Sequence, residues 1–328
     1  VVVWLFQREF TAETWSLIDF TPKVIGCIFL AWLCMVGRDF GLTWRFHELT
    51  GGDLTWRQAL KVDMLCEFTS CITPTAVGGS AFSMIYLNRE GVPLGKATML
   101  MMTTLLLDEA FLVVACPIIV MLIPFTDLFG FSTGGYAFTL GLKTVFWVVY
   151  GFLVIYTSIL ILGILVRPQA VGNILRRVFA WRWLRRWQKS VDVMVDDMIT
   201  TSAQLRFKGV RWWLRAFGAT AVSWSSRFLM VNALFWGFVP AADQLVVFGR
   251  QFVIWVVLMA APTPGGSGVS EWLFTEYYGD MIAVGAAGLS IALVIALFWR
   301  LLSYYIYLLV GVCLLPGFFS HKNKKDGQ

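Results

Sequence analysis

The chain has 328 residues, 58% of them hydrophobic and only 14% charged, with a formal net charge of +6. A soluble domain of this size carries nearer a quarter charged residues, so composition excludes an ordinary soluble fold and implies an all-α, polytopic integral membrane protein. The basic residues border apolar segments, which makes anionic lipid headgroups their nearer partner and gives no support to nucleic acid.

In chain order, Val1 to Phe6 is expected to be the tail of a spanning helix, and residues 7–20 a polar loop. Lys23 to Val36 predicts a short span. Residues 38–57 hold Arg38, Arg45, His47, Glu48, Asp53 and Arg57 and predict an aqueous loop. Ala59 to Ile72 carries Lys61, Asp63 and Glu67, then meets the helix-breaking run Thr73 to Ser80, which includes Pro74, Gly78 and Gly79. With Ala81 to Leu87 behind it, this predicts a hairpin that dips into the membrane and returns. Asp63 and Glu67, four residues apart, share a helix face and are expected at a solvated cytoplasmic mouth.

Ala97 to Ile123 predicts a long span, interrupted by Asp108 and Glu109. Residues 124–138 are a nearly uncharged loop, and Thr139 to Val166 a clean span. Residues 167–215 are strongly basic and predict an aqueous or interfacial region, whose stretch 167–211 is the cytoplasmic connector. Within it Val191, Val195, Met198 and Leu205 form one apolar stripe, which predicts a helix lying on the membrane. Trp181 to Trp187 suits the headgroup zone.

Trp212 to Val239 predicts a span holding Arg227. Leu245 to Tyr278 is apolar but broken at Ala261 to Glu271, where two prolines and three glycines interrupt any helix. This predicts the second dipping hairpin; such backbone is tolerated at membrane depth only inside protein or beside a water-filled cavity. Met281 to Pro316 exceeds one bilayer core and contains Arg300. Residues 317–328 form a basic tail. The six cysteines lie in apolar segments without metal spacing and are assigned to packing.

Basic loops stay cytoplasmic. The connector and the tail therefore face in, so the C-terminus is cytoplasmic, and loops 124–138 and 240–243 face out. The hairpins then open on opposite sides. The single transmembrane domain, residues 1–328, divides into an inverted repeat of about 1–123 and 139–316, each half with one re-entrant, discontinuous helical hairpin. That arrangement predicts a transporter with its site between the hairpin tips.

The candidate site residues follow. Glu271 lies just past the second turn, at the positive start of a half-helix. Arg300 has Glu271, Asp108 and Glu109 as candidate partners. Arg227 is a weaker buried cation, and Arg250 is expected to snorkel to the outer surface. Asp108 and Glu109 point about 100° apart on a helix and cannot share one partner. Pro74 and Pro264 break the hairpins. Gly78, Gly79, Gly265, Gly266 and Gly268 permit close backbone approach, and Ser80, Ser267 and Ser270 can cap the returning half-helices. Free N–H groups there favour an anionic group, a phosphate headgroup or a carboxylate.

The run Pro264-Gly265-Gly266-Ser267-Gly268-Val269-Ser270-Glu271, the Pro74-to-Gly79 cluster and Arg300 resemble the lysylphosphatidylglycerol synthase transmembrane (flippase-domain) family. The resemblance implies an integral inner-membrane protein that moves lipids between leaflets. This chain is expected to be a stand-alone member without the aminoacyltransferase domain, not itself an enzyme and without a cofactor. Its expected partners are membrane lipids with anionic or zwitterionic headgroups, and a second copy of itself is admissible. No nucleotide-binding motif is found, so movement is downhill or ion-coupled, with Glu271, Asp108 or Glu109 as candidate proton carriers. Two alternatives stand beside this reading. One is a membrane-embedded transferase on a lipid-linked substrate, using Asp63 and Glu67 as metal ligands. The other is a scaffold or regulator recruiting a partner through 167–205.

Overall fold

The computed structural model describes residues 20–73, 78–130, 135–181, 188–261, 263, 268–282 and 286–320. All regular structure among these residues is helical. Helix α1, Pro22–Thr50, starts where Thr21 Oγ1 accepts the Val24 N–H at 3.4 Å and Pro22 supplies a preset first turn. It stops at Gly51, whose φ of 71° lets its N–H return to the Glu48 carbonyl. The helix therefore runs on through residues 38–50 of the predicted loop, and only 51–55 form a turn. Arg38 and Arg45 are buried in it. Their charges, which suggested water, are met by carboxylates on neighbouring helices.

Helix α2, Trp56–Ile72, opens on a capping box between Thr55 and Gln58. Helix α3, Gly78–Arg89, lies against it and against the long α4, Leu94–Leu122. The first breaker, Pro74 to Val77, lies outside the described residues. A short α5, Phe125–Phe129, leads to α6, Gly135–Ile161, which ends in a π-helical turn, Leu162–Val166.

Then come α7, Pro168–Phe179, and α8, Gln188–Arg206. The stripe Val191, Val195, Met198 and Leu205 on α8 is buried, but against protein rather than lipid. Met198 and Leu205 join Met99 and Leu106 of α4 and Ile164 in one cluster. The apolar start of α4 provides a face that the stripe alone could not reveal. It is α7 that keeps an open apolar stripe, Ile174, Val178 and Trp181, while Arg176 on its other side ties it to Asp192 at 3.4 Å and Asp196 at 2.7 Å of α8. Most of the Trp/Arg stretch, 182–187, lies outside the described residues.

Helix α9, Val210–Phe238, forms with α1 the most extensive helix pair. Gly41 permits that approach: a Cβ there would stand 2.8 Å from both the Ala219 carbonyl oxygen and the Ser223 nitrogen. The chain continues through α10, Gln244–Leu258, and α11, Val269–Tyr278, which flank the second breaker. It closes with α12, Ala286–Arg300, a π-helical turn at Leu301–Tyr305 and α13, Ile306–Ser320.

Among the described residues, four stretches are long and apolar enough to cross a bilayer: Pro22–Thr50, Leu94–Leu122, Thr139–Val166 and Ile291–Leu315. Large apolar side chains point outward from them, among them Phe29, Met121, Val148, Ile155 and Leu309. So extensive an apolar exterior belongs in lipid. Of the six cysteines, all with free thiols, Cys27, Cys66, Cys71 and Cys116 are buried, Cys34 is half-buried and Cys313 is exposed. The protein is thus an all-α, multi-pass membrane protein.

Candidate functional site

Arg38 and Arg45 are seven residues apart on α1, two turns, and so share a face. Asp63 and Glu67 share a face of α2. These two faces meet Asp108 and Glu109 of α4, Arg227 of α9 and Arg300 of α12 around one cavity of about 150 Å³. The last residues of both breaker-approaching helices, Ser70 and Cys71 of α2 and Leu258 of α10 with Met259 after it, also line it. Tyr304 donates its hydroxyl to the Cys71 carbonyl at 3.1 Å, satisfying a backbone acceptor at the end of α2.

Most of the charges are matched. Arg38 pairs with Glu67 and, at 3.0 Å, with Asp39. Tyr307 donates to both Asp39 oxygens at 2.8 and 2.9 Å and lies 4.9 Å beneath the Arg38 guanidinium. Asp63 and Glu67 are therefore not a solvated mouth. Asp63 is only 1% exposed, and Glu67 is engaged by Arg38. Arg45 Nη1 donates to Asp108 Oδ1 at 2.5 Å and lies 3.3 Å from Thr220 Oγ1. Trp224 Nε1 donates to the same Asp108 oxygen at 2.8 Å.

Glu271 and Arg300, one of the pairings considered from sequence, do meet: Arg300 Nε lies 2.7 Å from Glu271 Oε1. The second carboxylate oxygen accepts the Gly268 N–H at 2.6 Å and the Ser270 hydroxyl at 2.9 Å. Glu271 therefore caps the start of α11 and pairs with Arg300 at once. Gly268, with φ of 86°, takes a conformation open chiefly to glycine. Ser270 binds the Glu271 carboxylate instead of a backbone N–H. The Arg300 guanidinium also stands 4.3 Å over the Tyr304 ring, at the start of the π-helical turn, a feature frequent at functional sites.

Three groups differ. Arg227 stands 4.1 Å over the Trp255 ring and 5.6 Å from that of Trp224, with no carboxylate at ion-pair distance among the described residues. Asp63 and Glu109 are buried and each keeps an oxygen without a partner among them. Arg250 does not snorkel. It is 2% exposed and holds Asp280 through both terminal nitrogens, Nη2 to Oδ2 at 2.7 Å, together with the backbone carbonyls of Asp127 and Tyr277. That knot ties α10 to the end of α11 and to α5, away from the cavity.

Of the hairpin-tip candidates, Gly78, Gly79 and Ser80 form the first turn of α3. Pro74, Pro264, Gly265, Gly266 and Ser267 lie outside the described residues. Sequence reasoning missed Arg38, Arg45, Trp224 and Trp255. The spacing of Arg38 and Arg45 on one face, opposite the Asp63/Glu67 face, was the available signal. Among the described residues no group of three His, Cys, Asp or Glu side chains is placed to hold a metal ion.

The model of the lysylphosphatidylglycerol synthase TM region family matches residues 1–311. The chain is also 23% identical over 318 residues to a UPF0104 membrane protein of Archaeoglobus fulgidus, covering 94% of this chain and 90% of that protein. No solved structure matches. The chain belongs to the lysylphosphatidylglycerol synthase transmembrane family.

Proposed function

We propose that this family member moves phosphate-headed lipids between the two leaflets of the cell's inner membrane, passing the headgroup through the central cavity while the acyl chains stay in surrounding lipid. One observation carries the reading: Arg227, with no carboxylate at ion-pair distance among the described residues, lines a cavity of about 150 Å³ enclosed by the helices. A charge at the bilayer centre costs at least ~2.5–3.5 kcal/mol, and intramembrane ionisable groups mark substrate pathways. A guanidinium fork matches phosphate geometry. The cavity, about 150 Å³, is too small for a whole lipid.

The architecture supports an inverted repeat. Helices α1 and α9, each standing before a broken hairpin, lie side by side. Each hairpin leads into a long helix with ionisable residues near mid-run, Asp108 and Glu109 in one half and Arg300 in the other. On this reading the hairpins enter from opposite faces, the C-terminus is cytoplasmic, and the chain is a transporter and not an enzyme. Glu67, one of the carboxylates a metal-dependent transferase would use, is already held by Arg38.

The test is reconstitution of the full chain in liposomes containing a phospholipid with a fluorescent headgroup. An external quencher is expected to reach the inner-leaflet label in protein-containing vesicles and only half the label in empty ones. A neutral glycolipid is expected to move more slowly. Protection equal to that of empty vesicles, across anionic and zwitterionic phospholipids, would contradict the reading.

A further inference from the structure

We infer that Asp63 and Glu109 bind protons that accompany the lipid phosphate, so that headgroup entry and proton uptake are linked. The inference rests on the lipid-transport reading above. It starts from a charge balance. The guanidiniums of Arg38, Arg45, Arg227 and Arg300 face the cavity or its wall; Arg38 is paired with Asp39 and Glu67, Arg45 with Asp108 and Arg300 with Glu271, and Arg227 is the fourth cation. With those groups ionised the site is neutral. Asp63 and Glu109 are the remaining carboxyls lining the cavity, 1% and 3% exposed.

Each has an oxygen with no partner among the described residues, and neither makes an ion pair there. Either can therefore gain or release a proton without breaking a bond to a cation. Glu67, Asp108 and Glu271 cannot. The charged surroundings differ. Asp63 lies within electrostatic reach of Arg38, Asp39 and Arg45 on α1 and of Glu67 on its own helix. Glu109 has Asp108 beside it on α4, and Tyr156 of α6 lies within its reach.

The consequence is a coupling of signs. With Asp63 and Glu109 protonated, a phosphate monoanion entering beside Arg227 meets a neutral site. With either ionised, it meets a negative one, in a medium where Coulomb repulsion is weakly screened. Proton binding and anion binding thus favour each other, and the effect is reciprocal. For each proton taken up, the apparent affinity for the phosphate rises by up to about tenfold per pH unit of acidification. No covalent step is involved. The proton travels on the carboxyl oxygen and leaves when the headgroup leaves.

The experiment uses the full chain in liposomes with headgroup-labelled phosphatidylglycerol, at matched inner and outer pH from 8 to 6. The wild-type rate at limiting lipid label is expected to rise toward pH 6. The pH slope is expected to flatten in Glu109→Gln and in Asp63→Asn, because each fixes the neutral form, while Glu109→Asp keeps a slope. A pH dye trapped inside is expected to report acidification when labelled lipid is added outside the wild type, a readout that needs no variant. A wild-type rate independent of pH, an unchanged dye signal, or wild-type slopes in both neutral variants overturns the inference and leaves lipid transport standing. A wild type that moves no phospholipid at any pH overturns both.

Discussion

Arg227→Gln is expected to slow headgroup movement by about ten- to a hundredfold, the effect of losing an interaction with a charged partner valued at ~1.5–3 kcal/mol. The reason is its isolation. Arg38, Arg45, Arg250 and Arg300 each have a carboxylate within ion-pair distance, and Arg227 has the Trp255 and Trp224 rings instead. Removing its charge strands no buried anion, so thermal unfolding in detergent is expected within a few degrees of wild type. Arg227→Lys keeps the charge and loses the planar fork, and an intermediate rate is expected. Wild-type movement by Arg227→Gln would show that this cation does not meet the lipid.

The opposite outcome is expected for Arg38→Met. Arg38 is 1% exposed and holds both Glu67 and Asp39. Its loss leaves two poorly solvated carboxylates without their cation, and breaking a buried pair from one side costs about 3–5 kcal/mol. Chemical unfolding in mixed micelles is expected to report a loss of that size. Adding Glu67→Gln is expected to restore part of it, because one stranded charge is then removed; Tyr307 still hydrogen-bonds Asp39. A change below about 0.5 kcal/mol in the single variant, the range of an ordinary surface substitution, would contradict the ion-pair account.

Much of the membrane architecture was legible because apolar length is a strong signal. The spans at 97–123 and 139–166 match α4 and α6 with its π-helical turn closely, and the stretch 212–239 matches the helix α9. The pair of Glu271 and Arg300 was also within reach, since a lone carboxylate at a half-helix start and a lone arginine in an apolar run each need a partner. What failed did so for one physical reason: a charge or an apolar stripe does not state what faces it. Arg38 and Arg45 suggested water, yet Arg45 finds Asp108 at 63 positions' distance along the chain. Arg250 suggested snorkelling, yet Asp280 and the backbone carbonyls of Asp127, Gly130 and Tyr277 enclose it. The α8 stripe suggested lipid, and the start of α4 covers it instead. Asp63, placed at a solvated mouth from its helical spacing with Glu67, is buried at the cavity.

The central claim is that a lipid headgroup enters the cavity between α1, α2, α4, α9 and α12. The most direct measurement is photocrosslinking of the full chain in liposomes, using a phospholipid with a diazirine on its headgroup and peptide mapping of the adducts. Adducts are expected at cavity residues such as Ser303, Tyr304 and Met259, competed by unlabelled phospholipid and diminished in Arg227→Gln. Adducts confined to outward-facing residues such as Leu309 and Val148, unaffected by competition, would contradict it.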